Sequence, residues 1–270
     1  MAESLLLWGA LALYGLSMGS LVAAGPPVSG LRERLPRTLL EAAVALHTLS
    51  LLMRWQAHGH GPFTTMHEIL SSNLWSLSLA LLLATWAVHE ARRVLLAAAP
   101  VLAVLGLWLL MADNRPGHLP PTYATTLLYL HTLIGKAYLG LLLVAVALGA
   151  VPWLREHGLG AACFAHAADD RRCDELAHRF AAFAFVFETL MLIVGAVWAQ
   201  DAWGRYWAWD PLESWAFASW LALAGVLHAR ATLRPPPARH GLWLAATFVL
   251  AFVTFFGVPF ISTTPHKGAV

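Results

Sequence analysis

Apolar residues run through this chain in long blocks separated by short polar stretches. The blocks fall at about 4–25, 38–57, 67–88, 93–112, 123–152, 176–200, 213–230 and 240–261. A helix needs roughly 20 predominantly apolar residues to cross a bilayer, and each block meets or approaches that length. The pattern predicts about eight transmembrane helices with short connections and no room for a soluble domain. The fold class expected is an all-α integral membrane protein, a single polytopic membrane domain over residues 1–270. The first block lacks a basic start and a small-residue cleavage site, so it reads as a retained helix rather than a signal peptide.

Composition strengthens this reading. Of 270 residues, 59% are hydrophobic and 12% charged, and the mean hydropathy is +0.64. Soluble domains carry about twice that charge. The basic residues are distributed unevenly among the loops. One set holds twelve: Arg32, Arg34, Arg37, Arg92, Arg93, Arg155, Arg171, Arg172, Arg179, Arg230, Arg234 and Arg239. The other holds Arg54, Arg115, Arg205 and Lys267, while Lys136 falls within a span. The positive-inside rule places the first set in the cytoplasm. Both termini and the loop before the seventh helix are then expected outside a plasma or inner membrane. The net charge of +2 reflects this asymmetry and gives no sign of nucleic-acid binding. Cys163 and Cys173 fall in a loop assigned to the cytoplasm, where disulfides are rare. With His166 and His178 they match no common zinc spacing. That loop reads as a solvated hairpin with Asp169, Asp170, Arg171 and Arg172 at its tip.

The chemistry concentrates in one stretch, about 198–220, WAQDAWGRYWAWDPLESWAFASW. It holds Trp198, Trp203, Trp207, Trp209, Trp215 and Trp220, six of the chain's thirteen tryptophans. Asp201, Arg205, Asp210 and Glu213 exclude it as a spanning segment. It reads as a short external amphipathic surface between helices six and seven, suited to a flat aromatic ligand. An ordinary interfacial aromatic belt would account for one or two such residues, but six in this arrangement exceed it. Trp203 and Trp207, four apart, would share a helical face. Asp210-Pro211 looks like a cap followed by the first residue of the next helix.

The string WGRYWAWDPLESWAF resembles the tryptophan-rich WWD signature of the haem-handling membrane protein superfamily (CcmC/CcmF/CcsA). Its continuation DPLESW looks most like the CcsA (ResC) branch of system II cytochrome c biogenesis, whose members usually read D-P-K-E-T-W. Leu212 and Ser214 are the departures. The likeness extends from Leu46 to His266 and includes His60, Pro62 and Glu68 in the loop after helix two, Gly195, Trp198 and Ala199 in a G-x-x-W-A pattern, and LHAR ending at Arg230. It implies a haem-binding and haem-presenting subunit of a membrane cytochrome c synthase (haem lyase). Such a subunit moves haem b outward and positions it for thioether attachment to C-x-x-C-H of apocytochrome c. Partners implied are a CcsB (ResB) membrane subunit, apocytochrome c, a thioredoxin-like thiol reductant and the lipid bilayer. The resemblance assigns His131 and His266 as outer axial ligands of haem iron and His228 as an inner one. Trp203, Trp207, Trp209, Asp210 and Arg205 would line or edge the ring. Arg54 is a further candidate for a propionate. No residue of the chain is expected to act as a nucleophile.

His47 near the middle of helix two is open between an inner ligand and an interhelical hydrogen bond. Lys136 and Glu188 lie within spans and could pair with one another. Two rival functions follow from these residues. One is a CcmC-like haem exporter or chaperone without ligation activity, against which the sequence after Asp210 argues. The other, of a different class, is an ion or proton transporter using Lys136, Glu188 and His131 as a relay.

Overall fold

A computed structural model describes residues 2–23, 31–88, 91–119, 121–159, 164 and 167–261. Among the described residues, eight helices of 20 to 34 residues carry the fold. They are α1 (Ala2–Ala23), α2 (Leu31–His58), α3 (Met66–Ala87), α4 (Ala91–Met111), α5 (Thr126–Glu156), α6 (Asp170–Trp203), α7 (Pro211–Leu233) and α8 (Pro237–Phe256). A single turn, α9 (Val258–Ile261), follows. The eight expected helices are all present, and the protein is a multi-pass membrane protein. Six are long and apolar enough to cross a bilayer by length and composition. The other two carry charge near one end: α2 begins with Arg32, Arg34 and Arg37, and the apolar part of α4 is Leu96–Met111.

Local sequence sets the helix ends. Thr65, Thr125 and Asp169 each accept a hydrogen bond from the backbone N–H three residues on, which satisfies a donor the helix itself leaves open. Gly204 ends α6 in the left-handed conformation at φ 72°, where a side chain would be strained. Pro237 starts α8, where its missing N–H costs nothing.

Helix α5 is the centre of the bundle, packed along α6 and against α8, α3 and α4, while α1 lies on α2 and α7 on α8 and α6. Its Tyr138, Leu139, Leu142, Leu143 and Leu148 are wholly buried. In lipid, apolar burial alone does not drive helices together, so close packing must do so. Small residues allow it: a Cβ on Gly241 of α8 would stand 1.9 Å from the carbonyl oxygen of Gly149 on α5. On the opposite face of α6, Phe183, Val186, Leu190, Ile193 and Val197 are exposed at helical spacing. This is the stripe expected of a lipid-facing surface.

Polar knots brace both ends. At the end carrying the loop 204–210, the buried Arg54 Nε donates to Glu68 Oε1 at 2.8 Å, and Arg54 Nη2 donates to the Asn114 carbonyl at 3.0 Å. Thr64 donates its backbone N–H and its hydroxyl to the second Glu68 oxygen. Arg54 is thus committed to the fold. At the far end Asp174 accepts from Arg230 Nε at 2.9 Å and from His240 Nδ1 at 2.6 Å, joining α6, α7 and α8. The solvated hairpin expected around residues 169–172 is replaced by the start of α6. Asp169 is its cap, Asp170 its first residue, and Cys173 is buried within it. Arg155 holds the turn before it through Asp170 and the carbonyls of Phe164, Ala167 and Ala168. Cys163 and His166 lie outside the described residues.

Candidate functional site

A cavity of about 240 Å³ opens between α3, α5, α6, α8 and the loop 204–210. Its wall is mostly apolar and aromatic, with Phe63, Trp198, Tyr206, Trp207 and Phe255, and it carries a few polar groups: His131, Lys136, Asn73 and Glu213 among them. An apolar pocket with a few convergent polar groups is the usual form of a small-molecule site.

His131 is held there by three contacts with α6. Helix α5 starts at Thr126, not near Tyr123 as the hydropathy suggested, because Tyr123 ends a separate 3-10 turn. His131 therefore sits about 7.5 Å along the axis from the helix start. Its Nδ1 donates to the carbonyl oxygen of Met191 on α6 at 3.0 Å. A carbonyl only accepts, so the proton of the neutral ring lies on Nδ1, and Nε2 takes the lone-pair form in which imidazole binds metals. The ring stacks on Trp198, with centroids 6.1 Å apart and planes at 15°. Gly195 lies against the same ring, where any Cβ would come within 2.7 Å of His131 Cε1.

The aromatic stretch divides into helix ends and a short loop. Trp198 and Trp203 belong to α6, residues 204–210 form the loop, and Trp215 and Trp220 belong to α7. Trp203 and Trp207 accordingly do not share a helical face, because Gly204 terminates the helix between them. Trp198 and Trp203 meet edge to face at 5.0 Å, and Trp203 Nε1 donates to Tyr123 OH at 3.3 Å. Trp207 lines the cavity, with its buried Nε1 lacking a hydrogen-bond partner among the described residues. Trp209 adopts φ 57°, unusual for a bulky residue, and its side chain is 68% exposed.

The two acids of the stretch shape this loop. Asp210 accepts from the Glu213 backbone N–H at 2.9 Å, and Glu213 Oε2 accepts from the N–H groups of Ala208 and Asp210 at 2.7 and 3.4 Å. This is the reciprocal capping box, with Pro211 at the first helical position. The cap expected at Asp210-Pro211 is present, and it fixes the loop over the cavity mouth.

The remaining candidates are scattered. Arg205 is exposed on the loop and is not among the residues lining the cavity. His228 is exposed on α7, near the end opposite the loop. His47 is fully buried, its Nδ1 3.2 Å from Tyr14 OH and its Nε2 2.9 Å from Ser71 Oγ. It lies eleven residues from the loop-side end of α2, so it sits higher in the bundle than His228, and its helix packs on α1 and α3. His47 and His228 thus lie on helices that share no substantial packing. His266 lies outside the described residues. Lys136 and Glu188 also fail to pair: Lys136 donates to Ser72 Oγ at 2.8 Å, and Glu188 accepts from Ser219 Oγ at 2.5 Å.

Three features had no role assigned from the sequence. Asn73 lines the cavity beside Ser72, which anchors Lys136. Gly195 was noted only as part of a spacing. The cluster of Asp174, His178, Arg230 and His240 joins residues up to 66 positions apart. There the His178 and His240 rings lie 5.9 Å apart, with His178 Nδ1 and His240 Nε2 buried and unpartnered among the described residues.

Comparison with known proteins places these features in a family. The family model described as cytochrome C assembly protein matches residues 38–266. The chain is 29% identical over 267 residues to the cytochrome c biogenesis protein CcsA of Synechococcus sp. (strain CC9605), covering 87% of each chain. It is 28% identical over 249 residues to CcsA of Prochlorococcus marinus (strain MIT 9301), covering 82% of this chain and 80% of that one. Against CcsA of Guillardia theta it is 42% identical over 94 residues, 35% of this chain and 31% of that one. Among solved structures, the cytochrome c haem lyase CcmF superposes with a TM-score of 0.73 at 18% identity. That likeness covers 99% of this chain and 48% of the other, so this chain spans about half its length and shares its fold. The family match takes in the cavity, the loop and His131, and the chain belongs to the cytochrome c assembly protein family, with a role in cytochrome c maturation.

Proposed function

We propose that this chain holds haem b in the cavity beneath the tryptophan-rich loop and presents it to apocytochrome c, as the haem-handling subunit of a cytochrome c synthase. The observation that carries the reading is His131: its Nδ1–H is committed to Met191, its ring packs on Trp198 and Gly195, and it lines an aromatic cavity. The family's role in cytochrome c assembly makes haem the natural occupant, here as substrate.

In this reading His131 supplies one axial nitrogen, and the carbonyl of Met191 orients the imidazole and raises its basicity. By resemblance, His266 supplies the second. Trp207 and Tyr206 cover the ring and limit water, while Trp203 braces Trp198 from behind. Arg205, on the exposed side of the loop and outside the cavity wall, is available to the incoming apocytochrome. The reaction adds each thiol of C-x-x-C-H across a haem vinyl group, sulfur to one carbon and hydrogen to the other, so nothing leaves. Both reacting groups belong to substrates. The protein's part is to hold them in register, which can supply several kcal/mol of a barrier.

In this reading His228, exposed on α7, shares a haem with a neighbouring subunit of the CcsB (ResB) kind rather than with His47. The basic-residue asymmetry favours the loop end as the outer face. There a thioredoxin-like reductant would keep the apocytochrome thiols reduced.

The test is the visible spectrum of the detergent-purified protein, wild type beside His131→Ala and His266→Ala. A Soret band with sharp reduced α and β bands, weakened in either variant, supports bis-histidine haem. A wild type that stays colourless with added haem, alone and with its partner, refutes it. A haem-loaded protein that never yields thioether-linked cytochrome, with partner and reductant present, would instead be a CcmC-like exporter.

A further inference from the structure

Lys136 presents an unresolved charge. It lies in a membrane-spanning helix and lines the cavity, and its Nζ donates to one neutral group, Ser72 Oγ. Among the described residues no carboxylate lies within 4.0 Å of it. Glu188, the acid at comparable depth, is engaged by Ser219 on the far side of α6. An ammonium has three donors, and one is accounted for here. Ionisable groups at bilayer depth are expensive and persist where they meet a partner or a substrate. The same corner holds Asn73, whose amide nitrogen donates to the Ile69 carbonyl at 2.8 Å while its buried Oδ1 has no partner among the described residues. The cavity therefore ends in a polar corner that its own side chains leave incomplete.

We propose that this corner, Lys136 with Ser72 and Asn73, is a carboxylate-binding subsite that recognises the acidic edge of the ring held by His131. The inference rests on the haem reading above and adds an orientation to it. Lys136 lies five residues beyond His131 on α5, about 7.5 Å further from the loop. A tetrapyrrole touching His131 near its centre would then direct its propionate edge at Lys136 and away from the loop. In protoporphyrin IX the vinyl groups lie on the other side of the ring. They would face Tyr206 and Trp207 at the mouth, where an incoming thiol has access. A single buried ammonium thus selects which edge is presented.

The experiment is a spectrophotometric titration of the purified protein with iron protoporphyrin IX and, separately, with its dimethyl ester. Wild type, Lys136→Met, Lys136→Gln and Lys136→Arg are compared. A charge-assisted bond in such a site favours the diacid by roughly ten- to a hundredfold. The Met and Gln variants should lose that preference yet bind the ester as the wild type does, with an unchanged reduced spectrum. That ester binding also reports an intact fold. Lys136→Arg should keep part of the preference. Equal affinity of the wild type for diacid and diester, or a preference that survives in both neutral variants, would overturn the proposal and leave the haem reading standing. Failure of the wild type to bind either form, alone and with its partner, would remove the haem reading itself.

Discussion

The imidazole of His131 on α5 rests directly against the backbone of Gly195 on α6, so closely that a Cβ at that glycine would lie 2.7 Å from Cε1 and 2.8 Å from Nδ1. The same nitrogen donates to Met191 one turn earlier. The ring therefore cannot yield to a side chain at 195 without breaking its own anchor. Gly195→Ala should displace His131 while adding only the modest strain of overpacking, about 1–3 kcal/mol. The expected outcome is a folded protein with a weakened or altered Soret band. A normal spectrum in this variant would show that the position of His131 is not set by Gly195.

The acids of the tryptophan-rich stretch carry a conformation rather than a charge. Asp210 and Glu213 form a closed capping box, and Asn is as good a cap as Asp. Asp210→Asn should be nearly neutral in thermal unfolding, while Asp210→Ala should cost about 1 kcal/mol, within a range of 0.5–2. Glu213→Ala releases the N–H of Ala208 and should loosen the loop similarly. Combined, the two alanine changes should cost less than their sum, since they break one motif. Failure of Asp210→Asn to bind haem with full stability would assign the aspartate an electrostatic duty instead.

Hydropathy and local motifs made much of this protein legible in its sequence. The eight helices and the Asp210 cap needed only apolar block length and the Asp-Pro-x-Glu order, both of which are local. The start of α6 did not show, because DRRCDELAH is polar and reads as loop. It is helical because Asp169 caps it and because Asp174 and His178 turn inward onto α7 and α8. Trp203 and Trp207 were misjudged for the opposite reason, since spacing implied a helix where Gly204 ends one. The pairing of Lys136 with Glu188 failed because depth fixes only one coordinate. Lys136 points to α3 and Glu188 to α7, a rotation about the helix axis that apolar periodicity in a nearly uniform helix does not encode.

Asp174 joins three helices through Arg230 and His240 at the end remote from the loop. Removing one partner of a buried charged cluster leaves the others unpaired, at a cost of about 3–5 kcal/mol. Asp174→Ala should lower the unfolding midpoint in detergent more than the alanine change at either Asp210 or Glu213. Arg230→Met added to it should restore part of the loss, because the orphaned guanidinium goes with it. A double variant no more stable than Asp174→Ala would mean that the helices are held by packing, such as the Gly149–Gly241 approach, and not by this cluster.

His47 and His228 should separate cleanly by experiment. Both ring nitrogens of His47 are engaged, by Tyr14 and Ser71, in a site with no exposure. His47→Ala should therefore destabilise the chain by about 1–3 kcal/mol through the unpaired hydroxyls and the space left behind, with haem bound at His131 retained. Among the described residues His228 makes no comparable contact, and it is exposed on α7. His228→Ala should change the unfolding midpoint of the isolated chain within about 0.5 kcal/mol. Its effect should emerge only in the assembled complex, as loss of part of the haem co-purifying with the partner subunit. Unfolding of the isolated chain and pyridine haemochrome content of the complex, measured on the same two variants, decide the matter. A stable His47→Ala protein that loses haem would restore His47 as a ligand and displace its structural role.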